Sequence, residues 1–280
     1  MTPLEFVLAA FGISILAGGL GSLLGLGGGI IVVPALTLLL GIDIRYAIGA
    51  SIVSVIATSS GAAAAYVRER MTNLRVAMLL ELGTTTGALS GAYLAGVVGG
   101  RWLYVTFGLI MGLSAVEMMR KRAATEETPV PPDALADHLR LHASFYDPAL
   151  GREIHYRVTH TRLGLVLMYA AGVVSGLLGI GSGVLKVPAM DLAMRLPIKV
   201  STATSNFMIG VTAAASAGMY FARGDIDPFV AAPVAAGVLL GATVGSRLLD
   251  RLPGRVIRLA FVAVLLAVSL EMLWKGLKGL

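Results

Sequence analysis

The chain matches itself at a fixed offset. Moved by 154 positions, Leu23-Leu24-Gly25-Leu26-Gly27-Gly28-Gly29 falls on Leu177-Leu178-Gly179-Ile180-Gly181-Ser182-Gly183, and Val33-Pro34-Ala35 falls on Val187-Pro188-Ala189. Eight of the fourteen positions from 23 to 36 are identical. The register continues without a gap: Ser51 meets Ser205, Tyr66 meets Tyr220, and Gly83, Gly87 and Gly91 meet Gly237, Gly241 and Gly245. Further on, Arg101 meets Arg255, and Glu117-Met118 meets Glu271-Met272. Apolar composition alone produces chance matches of Ala, Leu and Gly, but not a constant offset carrying Pro, Tyr, Arg and Glu. A duplicated unit is therefore the first constraint on the fold.

Each unit holds five apolar segments, at 4–26, 28–40, 46–67, 75–98 and 102–119, then 163–180, 183–196, 200–221, 229–246 and 256–274. With 56% hydrophobic and 14% charged residues and a mean hydropathy of +0.84, too few charges remain to cover a soluble surface of this size. Lipid is the solvent that fits. The first segment lacks a basic leader and outruns a signal-peptide core, so it reads as a transmembrane helix. About 20 helical residues cross the hydrocarbon, and the second segment of each unit is shorter. Each of these follows a glycine cluster and contains a proline. They are expected to be short discontinuous helices whose turns face protein or a water-filled cavity, because exposed irregular backbone is not tolerated in lipid.

Five segments are odd, so two successive units should enter the membrane from opposite sides. If the chain crosses at every segment, twelve basic residues, among them Arg68, Arg75, Arg120, Lys199 and Arg251, gather on one face against five on the other. The richer face is expected to be cytoplasmic. Lys275 and Lys278 lie on the poorer one. The expected architecture is an all-α polytopic membrane protein of two inverted-topology repeats, 1–122 and 162–280, joined by a cytoplasmic linker at 123–161. In the linker, Phe145 precedes Asp147-Pro148-Ala149-Leu150-Gly151, and Ile154, Tyr156 and Val158 follow at period two, the pattern of a β-hairpin. A tether between the units is expected more than a lid.

The net charge of +6 belongs to loop ends and gives no reason to expect a nucleic-acid partner. Without cysteine there is neither a disulfide framework nor a thiolate site. All four histidines lie in the linker; His138 and His142 would share a helix face, but a solvated loop explains them better than a metal site. No cofactor is expected, and no cluster of acids or histidines within the apolar segments suggests an enzyme.

Short Gly/Pro-interrupted segments at matching positions of inverted halves are the best sequence pointer to a transporter's binding site. Gly27, Gly28, Gly29, Gly181, Ser182 and Gly183 stand just before them, where small residues let backbone donors approach an anion. Lys186 sits inside the second short segment, where its counterpart is Val32. A charge at such depth costs roughly 2.5–3.5 kcal/mol to insert, so it should face the interior. Ser51, Thr204, Ser205 and Asn206 are candidate donors to an oxyanion, although hydroxyls also serve as plain interhelical contacts. Glu81, replaced by Ala235 in the other unit, is a candidate for a coupling proton. Glu117 with Lys121 and Glu271 with Lys275 have the spacing of helix ion pairs. Trp102 and Trp274 have the positions of interface anchors.

These motifs resemble the TauE/SafE sulfite exporter family, the TSUP permeases of bacterial membranes. The likeness is carried by Leu26-Gly-Gly-Gly-Ile30 with Val33-Pro34, by Gly179-Ile-Gly-Ser-Gly-Val-Leu-Lys-Val-Pro188, by Ala203-Thr-Ser-Asn-Phe207, and by Gly224-Asp-Ile-Asp227 after Tyr220. Ser182 stands where the family more often has glycine. The resemblance implies secondary transport of sulfite, thiosulfate, organosulfonates or related small anions across the plasma (inner) membrane. Other carboxylate or inorganic anions, or a membrane scaffold without transport, are the alternatives. A small anion and the bilayer are the expected partners, and a homodimer is left open.

Overall fold

The structure is a computed structural model that describes residues 2–23, 29–68, 71–119, 131–147, 151–181, 183–249 and 254–278. The first unit folds as α1 (Pro3–Leu23), α2 (Gly29–Leu39), α3 (Ile44–Arg68), α4 (Leu74–Val97) and α5 (Gly100–Met119). The linker supplies α6 (Ala134–His138) and the strands β1 (Ala143–Asp147) and β2 (Arg152–Tyr156). The second unit follows as α7 (Thr161–Leu178), α8 (Gly183–Pro188), α9 (Ile198–Ala222), α10 (Pro228–Leu249) and α11 (Gly254–Lys278). The helices begin and end close to the bounds expected from the apolar runs.

Local chemistry sets several of those bounds. Asn73 caps α4 by accepting the Val76 N–H at 3.1 Å. Gly179 ends α7 in the left-handed conformation (φ 66°), and Gly181 repeats that turn (φ 75°) before α8 begins. The two short helices then part company. Pro34 lies inside a continuous α2, where the Thr37 hydroxyl donates to the carbonyl of Val33 at 2.9 Å. Its counterpart Pro188 ends α8, and the chain widens into a π turn over Ala189–Ala193, where the place of Thr37 is taken by Asp191.

The two units are interlaced. α1 packs on α10 and α4 on α7, while α3 meets α9 and α5 meets α11. The contacts repeat at the sequence offset. Gly87 lies against the backbone of Tyr169, and Gly241 against that of Ile15. Gly83 lies against Leu165, and Gly237 against Phe11. Backbones this close leave no room for a side chain, the way helices pack where burial in water is not the driving force. The order of contacts gives directions. α1 runs parallel to α10 (Phe11 beside Gly237, Gly19 beside Gly241), as α4 does to α7. In contrast, α5 and α11 are antiparallel, with Gly108 beside Leu273 and Arg101 bonded to Gly276.

Polarity is turned inside out. Leu16, Leu82, Val97, Val166, Phe221 and Leu270 are largely exposed, while Ser51, Thr84, Ser201, Thr204, Thr212 and Lys186 are buried. An apolar exterior around hydroxyls and a charge is the arrangement of a protein in lipid. By length and apolar character alone, Thr161–Leu178 is the one helix among the described residues that qualifies as a span. Shorter apolar stretches lie at Pro3–Gly19, Gly29–Leu39, Ile44–Ser59, Gly100–Val116 and Pro228–Val244. Trp102 and Trp274 are exposed near helix ends, the latter under the Lys278 ammonium at 4.2 Å.

The linker is more than a tether. Its hairpin pairs Ala143 with Tyr156 and Phe145 with Ile154. Leu141, Phe145 and Val158 are buried in one cluster with Val76, Leu80 and Met208. Asn73 Nδ2 donates to the Leu141 carbonyl and to the Tyr156 hydroxyl, both at 2.9 Å. Burial pushes the Tyr156 phenol up, against the opposing effect of that bond from Asn73. Two side-chain expectations are corrected. α6 ends at His138 and Arg140 turns left-handed (φ 51°), so His138 and His142 share no helix face; the His142 ring instead bonds Asp137 at 2.7 Å. Lys275 does not pair with Glu271: its ammonium donates to the Thr37 carbonyl at 3.2 Å and lies over the Tyr104 ring. Two other anticipated features, the side chain of Glu117 and residue Lys121, lie outside the described residues.

Candidate functional site

Three helices bring their polar side chains to one buried point. Lys186, in the last turn of α8, has none of its surface exposed. Its Nζ donates to Thr212 Oγ1 of α9 at 2.7 Å. The Thr212 hydroxyl in turn reaches Glu81 Oε1 of α4 at 2.7 Å and the carbonyl of Met208, one turn back, at 2.9 Å. Thr85, one turn beyond Glu81, donates to the same Oε1 at 2.9 Å. Glu81 Oε2 is buried without a hydrogen-bond partner among the described residues.

The ammonium and the carboxylate are thus two hydrogen bonds apart. Unit charges ~5 Å apart attract by ~3 kcal/mol at an effective dielectric constant of ~20. That offsets only part of what burying the ammonium costs. An ionisable pair inside an apolar bundle makes this the candidate site.

The first residue of α2 and the glycine turn before α8 both pack against α3. Gly29 opens α2 so close to α3 and α7 that a Cβ there would lie 2.6 Å from Ser51 Oγ and 3.0 Å from the Gly179 carbonyl oxygen. Ser51 donates to that same carbonyl at 2.8 Å, joining the first unit to the glycine turn of the second. Gly181 is packed between Val55 and Ile209. Ile209 is one turn of α9 before Thr212, and Gly183 is one turn of α8 before Lys186, so the second unit's turn leads directly into the helix that carries the ammonium. Thr204 points elsewhere: its hydroxyl accepts the Asn73 backbone N–H at 3.1 Å, toward the hairpin. Ser205 Oγ is buried without a partner among the described residues, and Asn206 is 9% exposed. Gly27, Gly28 and Ser182 lie outside the described residues.

Lys186 and Glu81 each stood out in the sequence as a charge in an apolar run. Thr212 did not. The signal that marks it is internal: moved back by 154 it falls on Thr58, whereas Lys186 falls on Val32 and Glu81 sits opposite Ala235. The threonine is present in both units, whereas Glu81 occurs only in the first and Lys186 only in the second. In the first unit the Thr58 hydroxyl bonds its own helix, at the Ser54 carbonyl 3.0 Å away.

Comparison with known proteins places nearly the whole chain in one family. The family model described as "Sulfite exporter TauE/SafE" matches residues 10–272. The chain is 27% identical over 272 residues to "Probable membrane transporter protein YunE" of Bacillus subtilis (strain 168), covering 95% of this chain and 96% of that one. It is 27% identical to a "Probable membrane transporter protein" of Xylella fastidiosa (strain 9a5c), over 91% and 90% of the two chains. To "Probable membrane transporter protein YdhB" of Bacillus subtilis it is 26% identical, over 91% and 93%. No solved structure matches. A family match over nearly the whole chain, on an interlaced helical bundle with an apolar exterior, makes this a membrane transporter, and the chain belongs to the TauE/SafE sulfite exporter family.

Proposed function

We propose that the chain is a secondary transporter of a small anion, namely sulfite, thiosulfate, an organosulfonate or a related sulfur compound, moved by alternating access between two inverted units. The observation that carries the reading is Lys186, a fully buried ammonium in the short helix α8, linked through Thr212 to Glu81. Its charge recognises an anion, and the turns give a ligand access to backbone donors. Inversion is supported by helix direction. α5 and α11 hold the same place in the two units, so units of the same orientation would set them parallel, whereas they run antiparallel. The basic linker side is then cytoplasmic.

Purified protein in liposomes tests this. Labelled sulfite, thiosulfate and organosulfonates should exchange across the membrane, and Lys186→Met should fold, elute as the wild type does and lose both exchange and anion-dependent thermal stabilisation. A carboxylate such as acetate serves as the comparison, because an ammonium alone does not distinguish it from a sulfonate. Unchanged anion binding in the Lys186→Met protein would remove Lys186 from the site.

A further inference from the structure

We propose that Glu81, Thr212 and Lys186 form a coupling relay in which one proton travels with each anion, bound at Glu81 and sensed at Lys186 through the Thr212 hydroxyl. This rests on the anion reading above and adds the coupling ion and its route.

Charge balance is the first reason. The ammonium is fully buried, and the carboxylate of the half-buried Glu81 offsets it. A monovalent anion arriving at Lys186 leaves that place one negative charge in excess. The excess disappears when Glu81 takes up a proton, and in a low-dielectric interior the two events favour each other strongly. When the anion departs, the Glu81 O–H bond breaks, the proton leaves with it, and the original pair is restored.

Hydrogen-bond geometry is the second. Thr212 has one hydroxyl proton, accepts from Lys186 and faces two acceptors, Glu81 Oε1 at 2.7 Å and the Met208 carbonyl at 2.9 Å. With Glu81 ionised, the carboxylate is the stronger acceptor. With Glu81 neutral, the carbonyl competes, and the hydroxyl can turn from one to the other without moving an atom heavier than hydrogen. Both donors to Glu81 converge on Oε1, leaving buried Oε2 without a partner. A bare carboxylate oxygen away from water is costly, and a proton is what it can accept.

Other charged groups on the surrounding helices are engaged elsewhere. On α4 itself, Arg75 donates to the Arg140 carbonyl. On α7, the Tyr169 hydroxyl bonds Ser90, and Arg162 is exposed. On α9, Tyr220 donates to the Gly176 carbonyl, Arg223 pairs with Asp225, and Lys199 lies in the first turn, three turns before Thr212. The π turn after α8 carries Asp191. Lys186 is the charge linked to Glu81 by hydrogen bonds. The twin positions Val32 and Ala235 hold no charge, which sets one relay, hence one proton, per molecule and cycle.

The test uses the full chain in liposomes with labelled methanesulfonate and labelled thiosulfate, neither of which titrates near neutral pH. Two readouts are compared, anion exchange at equal pH and accumulation driven by a pH gradient, with a pH dye in the lumen. In the wild type, accumulation should follow the proton gradient and the lumen should acidify as anion enters. Glu81→Gln should keep exchange within a few-fold and lose accumulation about tenfold or more. Thr212→Val should behave alike, and Thr212→Ser should restore accumulation. Glu81→Gln that still accumulates anion, a lumen that stays at constant pH, or accumulation that follows a sodium gradient overturns the relay. So does loss of exchange together with accumulation in a Glu81→Gln protein that remains monodisperse, since Glu81 would then belong to anion binding. Failure of the wild type to exchange any sulfonate, thiosulfate or sulfite overturns the anion reading itself, and the relay falls with it.

Discussion

The hydroxyl of Ser51 donates to the carbonyl of Gly179 at 2.8 Å, so a residue of the first unit satisfies the turn that opens the short helix of the second. Ser51 is fully buried, and Gly29 packs against both groups. In Ser51→Ala the Gly179 carbonyl loses this partner in a place without water, a loss of about 1–3 kcal/mol. The expected outcome is a lower unfolding temperature in mild detergent, together with slower anion exchange, because the glycine turn is no longer held. Unchanged stability would mean that the carbonyl finds another donor.

The close approaches of Gly87 to Tyr169 and of Gly241 to Ile15 occupy equivalent places in the two units. A methyl group at either forces two backbones apart, with a cost of about 1–3 kcal/mol from overpacking. Gly87→Ala and Gly241→Ala should therefore destabilise by similar amounts in thermal or denaturant unfolding. Gly218, inside α9 with nothing near its Cβ position, is the control. There, alanine should be neutral or stabilise by up to about 1 kcal/mol through helix propensity.

Asp133 ties the linker to the bundle. Its Oδ1 accepts the N–H groups of Leu135 and Ala136 at 2.9 and 3.3 Å, and its Oδ2 accepts that of Thr161 at 2.7 Å. Burial works against the charged form, but these hydrogen bonds, led by that of Thr161, hold the carboxyl below its ordinary value. With the folded-state pKa depressed, the stabilisation is present above the unfolded-state value of about 3.9 and fades as pH falls through the folded-state value. Protection of the Leu135, Ala136 and Thr161 amides, relative to the intrinsic exchange rate at each pH, should fall below about pH 4, and Asp133→Ala should show that loss already at pH 7. Protection at Thr161 that is unchanged across this range in the wild type would contradict this role.

Much of the helical layout was legible because its punctuation is chemical. Apolar runs mark the helices, and glycine, proline and Asn73 mark their ends. The β-hairpin was legible from alternation at Phe145 and Ile154. The fate of the two prolines was not: Pro34 and Pro188 occupy the same place in the repeat, yet one lies in a regular helix and the other precedes a π turn. The two prolines have different neighbours, Thr37 three residues after one and Asp191 three residues after the other, and a proline rule does not consider them. Lys186 and Glu81 were legible as charges out of place. Their connection was not, because residues 81, 186 and 212 sit on three helices and meet only through tertiary packing. Long side chains such as Lys275 were misjudged for a related reason. Spacing along one helix favoured Glu271, while the fold placed the Thr37 carbonyl and the Tyr104 ring within reach.

Interlacing also dictates the order of birth. The main partner of α1 is α10, yet α1 ends at Leu23 and α10 begins at Pro228. At synthesis rates of about 5–20 residues per second, the first helix waits roughly 10–40 s for its mate. Lipid must shelter it meanwhile, so insertion of the segments precedes their association, and neither unit can finish folding on the ribosome before the other exists.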